Sequence, residues 1–171
     1  MSTLLTVCCA CVSFSVFDLS RLSMTWQQHL TQTCKLNKPE VAVAPLSTMV
    51  GEWSLATTDC AKWLNGYNTG ARFDGSFFHP PGTPIPKDTP PPLGQCRGQE
   101  DIHNSTIWTP EYHAFLKQFS AKQMDAYESG SSEGWFFWNF KTEKGAPQWD
   151  YMLGVREGWI PKDLENRDIR C

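Results

Sequence analysis

Two stretches carry side chains whose types and spacing suit chemistry. One is Met49-Val50-Gly51-Glu52-Trp53-Ser54, and the other, near the end, is Gly134-Trp135-Phe136-Phe137-Trp138. Each is a short apolar run that finishes in aromatic and polar residues, the pattern of a buried strand in a parallel sheet. Glu52 stands where the first of these strands would end. A carboxylate at the carboxyl end of a buried strand, beside a Trp, is the usual layout of a sugar-cleaving site in a barrel. The hexapeptide alone says little, because a single Glu among apolar residues is most often a paired or edge carboxylate. The rest of the chain has to supply the context.

The chain has 171 residues, enough for one domain with a real core. A net charge of −3 gives no electrostatic case for nucleic acid or an anionic membrane as partner. Residues 4–17 are apolar, yet no Lys or Arg precedes them and the run is too short to span a membrane. Val12 to Phe17 read instead as a strand. Eight tryptophans and ten phenylalanines fit core packing and sugar stacking equally well. There are seven cysteines, so at least one thiol stays outside intrachain pairing. Cys8, Cys9 and Cys11 crowd together, whereas Cys34, Cys60, Cys96 and Cys171 are spread out. Spread cysteines, 12 prolines and the sequon Asn104-Ser105-Thr106 point to a secreted protein, with the pairing left open. His29, His79, His103 and His113 lack zinc-like spacing with cysteine, so no metal is expected, and no glycine loop suits a phosphate. No cofactor is expected either.

Asp18 is a candidate cap for a helix over residues 19–36, where Leu19, Leu22, Trp26 and Leu30 recur on one face. Pro39 and Pro45 bracket a connection to the strand that ends near Glu52. A short helix is expected over residues 56–65, stopped by Gly66. Residues 80–92 hold seven of the twelve prolines and form a loop or semi-rigid insert. Thr109-Pro110-Glu111 starts a helix with a cap, a proline in the first turn and an acid. Its face of Tyr112, Phe115, Leu116, Phe119, Gln123 and Ala126 runs to about Tyr127. A strand over residues 135–140 follows, then a loop through Trp149-Asp150 and a polar tail. Strands alternating with helices predict an α/β fold built of parallel βα units, too few to close a barrel.

Taken together, several stretches resemble one family. They are Val50-Gly51-Glu52-Trp53-Ser54, Thr58-Asp59-Cys60-Ala61-Lys62-Trp63-Leu64-Asn65-Gly66 and Gly70-Ala71-Arg72-Phe73-Asp74-Gly75. Gln123-Met124-Asp125-Ala126-Tyr127-Glu128, Gly134-Trp135-Phe136-Phe137-Trp138, Lys141-Thr142-Glu143 and Gly158-Trp159-Ile160-Pro161 complete the set. The chain resembles the C-terminal part of the fungal exo-β-1,3-glucanases of glycoside hydrolase family five. The match covers residues 14–171, with a Pro-rich insertion at 77–95, and leaves residues 1–13 unmatched.

The resemblance implies a TIM (β/α)8 barrel, of which this chain would hold about three βα units. It implies that Glu52 is the nucleophile of a retaining glycosidase that releases glucose from β-1,3-glucan. It implies sugar contacts for Trp138, as a platform under the cleaved residue, and for Phe17 at the mouth of the pocket; Trp53, beside the nucleophile, is a further candidate stacking surface if the chain only binds glucan. By position, Cys34 with Cys171 and Cys60 with Cys96 match the family's two disulfides. A monomer in the extracellular space or cell wall, with β-glucan polysaccharide as its partner, completes the expectation.

The sequence also departs from the family. Retaining hydrolysis uses two carboxyls about 5 Å apart. The family's acid/base Glu lies in an Asn-Glu-Pro motif, and no Asn-Glu dipeptide occurs here. A His and a Tyr that support the family's nucleophile fall on Val12 and Phe14. Two other readings therefore stand beside the enzyme: a glucan-binding remnant without turnover, and a gene fragment without molecular function.

Overall fold

The structure, a computed structural model, describes residues 10–13, 19–44, 46–77, 82, 84, 91–96, 104–130, 132–142 and 145–171. Strand β1 is Ala10–Ser13, followed by α1 (Leu19–Leu22) and α2 (Trp26–Gln32). A π turn over Thr33–Asn37 leads into α3 (Lys38–Ala42), and then comes β2 (Thr48–Trp53). After the long connection lie α4 (Pro110–Tyr127), β3 (Ser132–Phe137) and α5 (Tyr151–Glu157). The three strands form one parallel sheet in the order β1-β2-β3, which establishes the α/β class.

The helix expected over residues 19–36 is broken. Thr25 starts a new helix with a full capping box: its hydroxyl accepts from Gln28 N, and Gln28 Oε1 accepts from Thr25 N at 2.7 Å. That local satisfaction competes with a continuous ladder through Ser23 and Met24. Pro39 belongs to α3 rather than to a connection. A proline there cannot donate to the ladder, and the ladder widens immediately before it, where Lys38 N reaches Thr33 O.

No helix forms over residues 56–65, which fold as successive turns. Asp59 holds them open, as described below. The last strand ends at Phe137 rather than at residue 140. The expected loop through Trp149-Asp150 instead contains a 3-10 turn, Pro147–Trp149, and α5, which Asp150 caps by accepting from Leu153 N at 2.8 Å. Gly158 ends α5 in the left-handed conformation. Helix α4 starts and ends as expected, with Thr109 Oγ1 accepting from Tyr112 N.

Helices α2, α3 and α4 lie against one face of the sheet. Leu30, Val41, Val50, Trp53, Leu55, Tyr112, Phe115, Leu116, Met124 and Tyr127 share one core. Trp53 is its centre, with Tyr127, Trp135 and Phe137 all edge-on to its ring at 5.6, 5.1 and 4.9 Å. Two disulfides brace the unit. Cys34 joins Cys171 and Cys60 joins Cys96, with Cα separations of 5.3 and 5.4 Å, the pairing that the family resemblance implied. At the carboxyl end Asp125 accepts from Lys38 Nζ at 2.7 Å, Arg170 Nη1 at 3.2 Å and Cys171 N at 3.0 Å, which pins the tail to α4.

His29 is buried in this core, tilted against Phe119 at 5.6 Å, and its Nε2 has no hydrogen-bond partner among the described residues. Burial, then the nearby Arg21 charge, lowers its pKa from 6.5 to about 4. Above pH 6.5 the ring is neutral folded and unfolded. As pH falls towards 4 the unfolded chain takes up a proton that the folded chain refuses, so stability is lost, by roughly 3 kcal/mol at most. Urea midpoints should therefore decline from pH 6.5 to 5, and His29→Leu should flatten that slope; an unchanged slope would refute the assignment. Trp53→Ala should cost about 3–5 kcal/mol, as a large core truncation does. Phe136→Ala, on a ring 60% exposed, should change stability by under about 1 kcal/mol. Equal losses in the two variants would contradict the core placement of Trp53.

Candidate active site

The site is built on an irregularity in β2. Along a regular strand, residues 48, 50 and 52 would share one face. Thr48 and Val50 are indeed buried under the helices. Glu52 would follow them into that apolar layer, where an unpaired carboxylate is costly. It does not, because β2 carries one extra residue at this point. On the β1 side, Val12 pairs with Val50 and Ser13 with Glu52, which skips Gly51. On the β3 side, Trp135 pairs with Val50 and the next-but-one residue, Phe137, pairs with Trp53. The bulge exchanges the two faces. Gly51 and Glu52 are both exposed, and Trp53 turns inward. Bulges are found beside active sites because they re-aim a side chain in this way.

Trp138 follows directly on β3. Its backbone N donates to Trp53 O at 2.8 Å, so the residue after Glu52 and the candidate platform are tied backbone to backbone. The Trp138 ring is 53% exposed, and a cis peptide joins it to Asn139. Both Glu52 and Trp138 therefore stand at the carboxyl edge of the parallel sheet, where α/β proteins place their ligands.

The loops at that edge are fixed from behind. Asn139 N donates to Trp149 O at 2.8 Å, and Tyr151 N donates to Asn139 O at 3.1 Å. Leu55 N donates to Gln148 O at 3.1 Å, so the segments after β2 and β3 share one anchor. Helix α4 holds that anchor and the β2 exit together. Gln148 Nε2 donates to the Tyr112 hydroxyl at 2.7 Å, and Gln123 Nε2 donates to Ser54 O at 3.2 Å. Neither glutamine was picked out as functional in the sequence. The available signal was Gln123 itself, a polar residue on an otherwise apolar helix face.

The long connection after β2 turns about Asp59, which is fully buried. Its carboxylate accepts from Asn65 Nδ2 at 2.9 Å, Arg72 N at 2.9 Å and Phe73 N at 3.0 Å. The Arg72 guanidinium also reaches Asp59 and lies over the Phe77 ring at 3.8 Å. Glu128 ties β3 to the tail through Trp135 Nε1 at 2.9 Å and Arg167 Nη1 at 3.0 Å. Burial alone would raise its pKa, but the Arg167 and Trp135 hydrogen bonds and the Arg167 and Arg170 charges outweigh it and hold the carboxyl below its usual range.

Of the expected sugar-binding residues, the structure brings Trp138 to the edge beside Glu52. Trp53 is corrected: at 3% exposure, with aromatic edges packed against it, it offers no face to a sugar. Phe17 and Phe14 lie outside the described residues, and Val12 is part of the β1 backbone. The arrangement can present a carboxylate to an electrophilic carbon and an apolar plane to a ring beside it.

No protein-family model matches the chain. A glucan 1,3-beta-glucosidase of Kluyveromyces lactis is 37% identical over 156 residues, which is 91% of this chain and 33% of that protein. One from Candida oleophila is 36% identical over 90% of this chain and 32% of its own length. Glucan 1,3-beta-glucosidase 2 of Saccharomyces cerevisiae is 40% identical over 69% of this chain and 20% of its own length. The chain thus spans about a third or less of the curated relatives it matches. By sequence the chain is similar to the fungal glucan 1,3-beta-glucosidases over a part of their length, consistent with their C-terminal region.

Proposed function

We propose that this chain supplies the nucleophile and the sugar platform of a retaining β-1,3-glucan hydrolase, within a (β/α)8 barrel to which residues 14–171 contribute about three βα units. The observation that carries the reading is the bulge at Gly51, which takes Glu52 out of the apolar layer and sets it at the carboxyl edge next to Trp138. Glu52 attacks the anomeric carbon of the terminal glucose, the direction of its side chain being set by the bulge. Trp138 supports the flattened, cationic ring of the transition state through its π face. Phe17 flanks the glucan at the mouth. The acid that protonates the leaving oxygen comes from a second carboxyl, the group for which this sequence has no Asn-Glu motif. The setting is extracellular, in or near a cell wall, with the Pro-rich segment at 77–95 as a loop insertion.

An activated substrate separates the nucleophile from the acid. A 2-deoxy-2-fluoro-β-glucoside with a dinitrophenolate leaving group needs no protonation to depart. The Glu52 carboxylate oxygen bonds to C1, the C1–O bond breaks, and dinitrophenolate leaves with the electron pair. The peptide containing Glu52 should then carry one fluoroglucosyl group by mass spectrometry, and Glu52→Gln should carry none. Labelling at a different carboxylate, or no labelling, would sink the assignment. On an insoluble β-1,3-glucan column the chain should be retarded, and Trp138→Ala should weaken retention about tenfold, the worth of one stacking contact of 1–2 kcal/mol. Retention unchanged in Trp138→Ala would remove the platform.

A further inference from the structure

A cleft of about 930 Å³, to whose lining Glu52 does not belong, lies between the loop that follows β3 and the outer side of α5. Its walls include Asn104, Phe140, Pro147, Met152, Val155 and Arg156. Two of these are large apolar side chains open to solvent: Phe140 is 69% exposed and Met152 is 46% exposed. Asn104 stands on the rim, exposed, and opens the sequon Asn104-Ser105-Thr106. The sequon is already folded into a compact turn. Asn104 Oδ1 accepts from Thr106 N at 3.1 Å and from Thr106 Oγ1 at 2.7 Å. Both bonds go to the carboxamide oxygen, which leaves Nδ2 as the end available for reaction. The Thr106 hydroxyl contact also polarises the amide from which that nitrogen must act.

We propose that Asn104 carries an N-linked glycan and that its first N-acetylglucosamine packs over the Phe140–Met152 shelf. The shelf is an apolar surface with a polar rim, and a pyranose attached at Asn104 would lay its own apolar face on the phenyl ring while its hydroxyls meet Arg156 and water. Attachment at the rim makes this occupant intramolecular, so even a weak contact is populated. In the transfer, Asn104 Nδ2 forms a bond to C1 of the reducing-end sugar of a lipid-linked oligosaccharide diphosphate. The C1–O bond to phosphate breaks, the lipid diphosphate leaves with the electron pair, and the amide proton passes to the transferase of the secretory lumen. Because Phe140 lies two residues after Trp138, the glycan also braces the loop that carries the platform.

The proposal rests on the reading of the chain as extracellular, so the test supplies the compartment independently. The chain is produced in yeast behind a cleavable secretory leader and recovered from the lumen or the medium. The peptide containing Asn104 should carry N-acetylhexosamine, and Asn104→Gln and Thr106→Ala should each abolish it. An unmodified Asn104 in the recovered chain overturns the site without touching Glu52. Glycan trimmed to one N-acetylglucosamine should raise the melting temperature by about 2 °C over the fully deglycosylated chain, the shift of a contact near 1 kcal/mol. Phe140→Ala should erase that gain. Equal melting of the two forms of the unsubstituted chain overturns the shelf contact.

Discussion

One extra residue in β2 determines which side chains this protein buries and which it offers to solvent. The sheet accepts it on both sides, since β1 has no residue opposite Gly51 and β3 has one residue, Phe136, where β2 has Gly51 and Glu52. Without it, alternation would drive a carboxylate into the layer of Val50, Leu116 and Met124 and turn Trp53 outward. An unpaired buried charge costs several kcal/mol, and losing the Trp53 ring from the core costs a comparable amount. Glycine is suited to the bulge because it adds no side chain to the exposed stretch it shares with Glu52. The same local defect therefore serves packing and chemistry together: it completes the core with an indole and frees a carboxylate.

A bulge alone would leave the strand ends loose. The fold answers with backbone anchors rather than with charges. The exits of β2 and β3 both hydrogen-bond to the turn over Pro147–Trp149, and α4 reaches that turn through Tyr112 and the β2 exit through Gln123. Each of these bonds lies in the interior, where losing one partner exposes the full cost of desolvating the other. Charged contacts tie down other parts of the chain, as buried Asp59 with Arg72 does in the long connection. Asp125 and Glu128 bind Arg170 and Arg167, and their work is to hold the tail and the edge of β3.

How much of this was legible in the sequence depends on the range of the interaction. Helix α4 was legible to the residue, because Thr109, Pro110 and the apolar face are local signals. The parallel pairing of the strands followed from apolar runs alternating with helical periodicity, but their bounds did not: β1 starts at Ala10 rather than Val12, and β3 runs Ser132–Phe137 rather than over residues 135–140. The breaks were not legible for the same local reason: the Thr25 capping box beat the longer periodicity, and Asp59, satisfied by partners up to 14 residues away, stopped the helix expected over 56–65. Trp53, expected as a sugar-stacking residue, is turned into the core by the bulge, which alternation along an unbroken strand does not reveal. A bulge is a relation between three strands, and one strand's sequence does not encode it. The disulfide pairing was open from spacing and came only with the family resemblance.

The sheet also carries a physical argument for the larger architecture. Parallel sheets are stable when both faces are covered. Here helices cover one face, while Gly51, Glu52, Glu133 and Phe136 line positions exposed on the strands. Among the described residues no strand pairs with the outer edge of β1 or β3. An open edge is a liability, and a barrel would remove it by closing the sheet on itself and packing its interior with side chains. In such a barrel Phe136 would become an interior residue and the exposure of Glu52 would narrow from open solvent to a pocket. The relatives, about three times as long as the matched region, have the chain length for such a closure. Closure would also change the chemistry: a carboxylate facing open water gains little from its neighbours, whereas one at the floor of a confined, dry pocket feels every dipole directed at it.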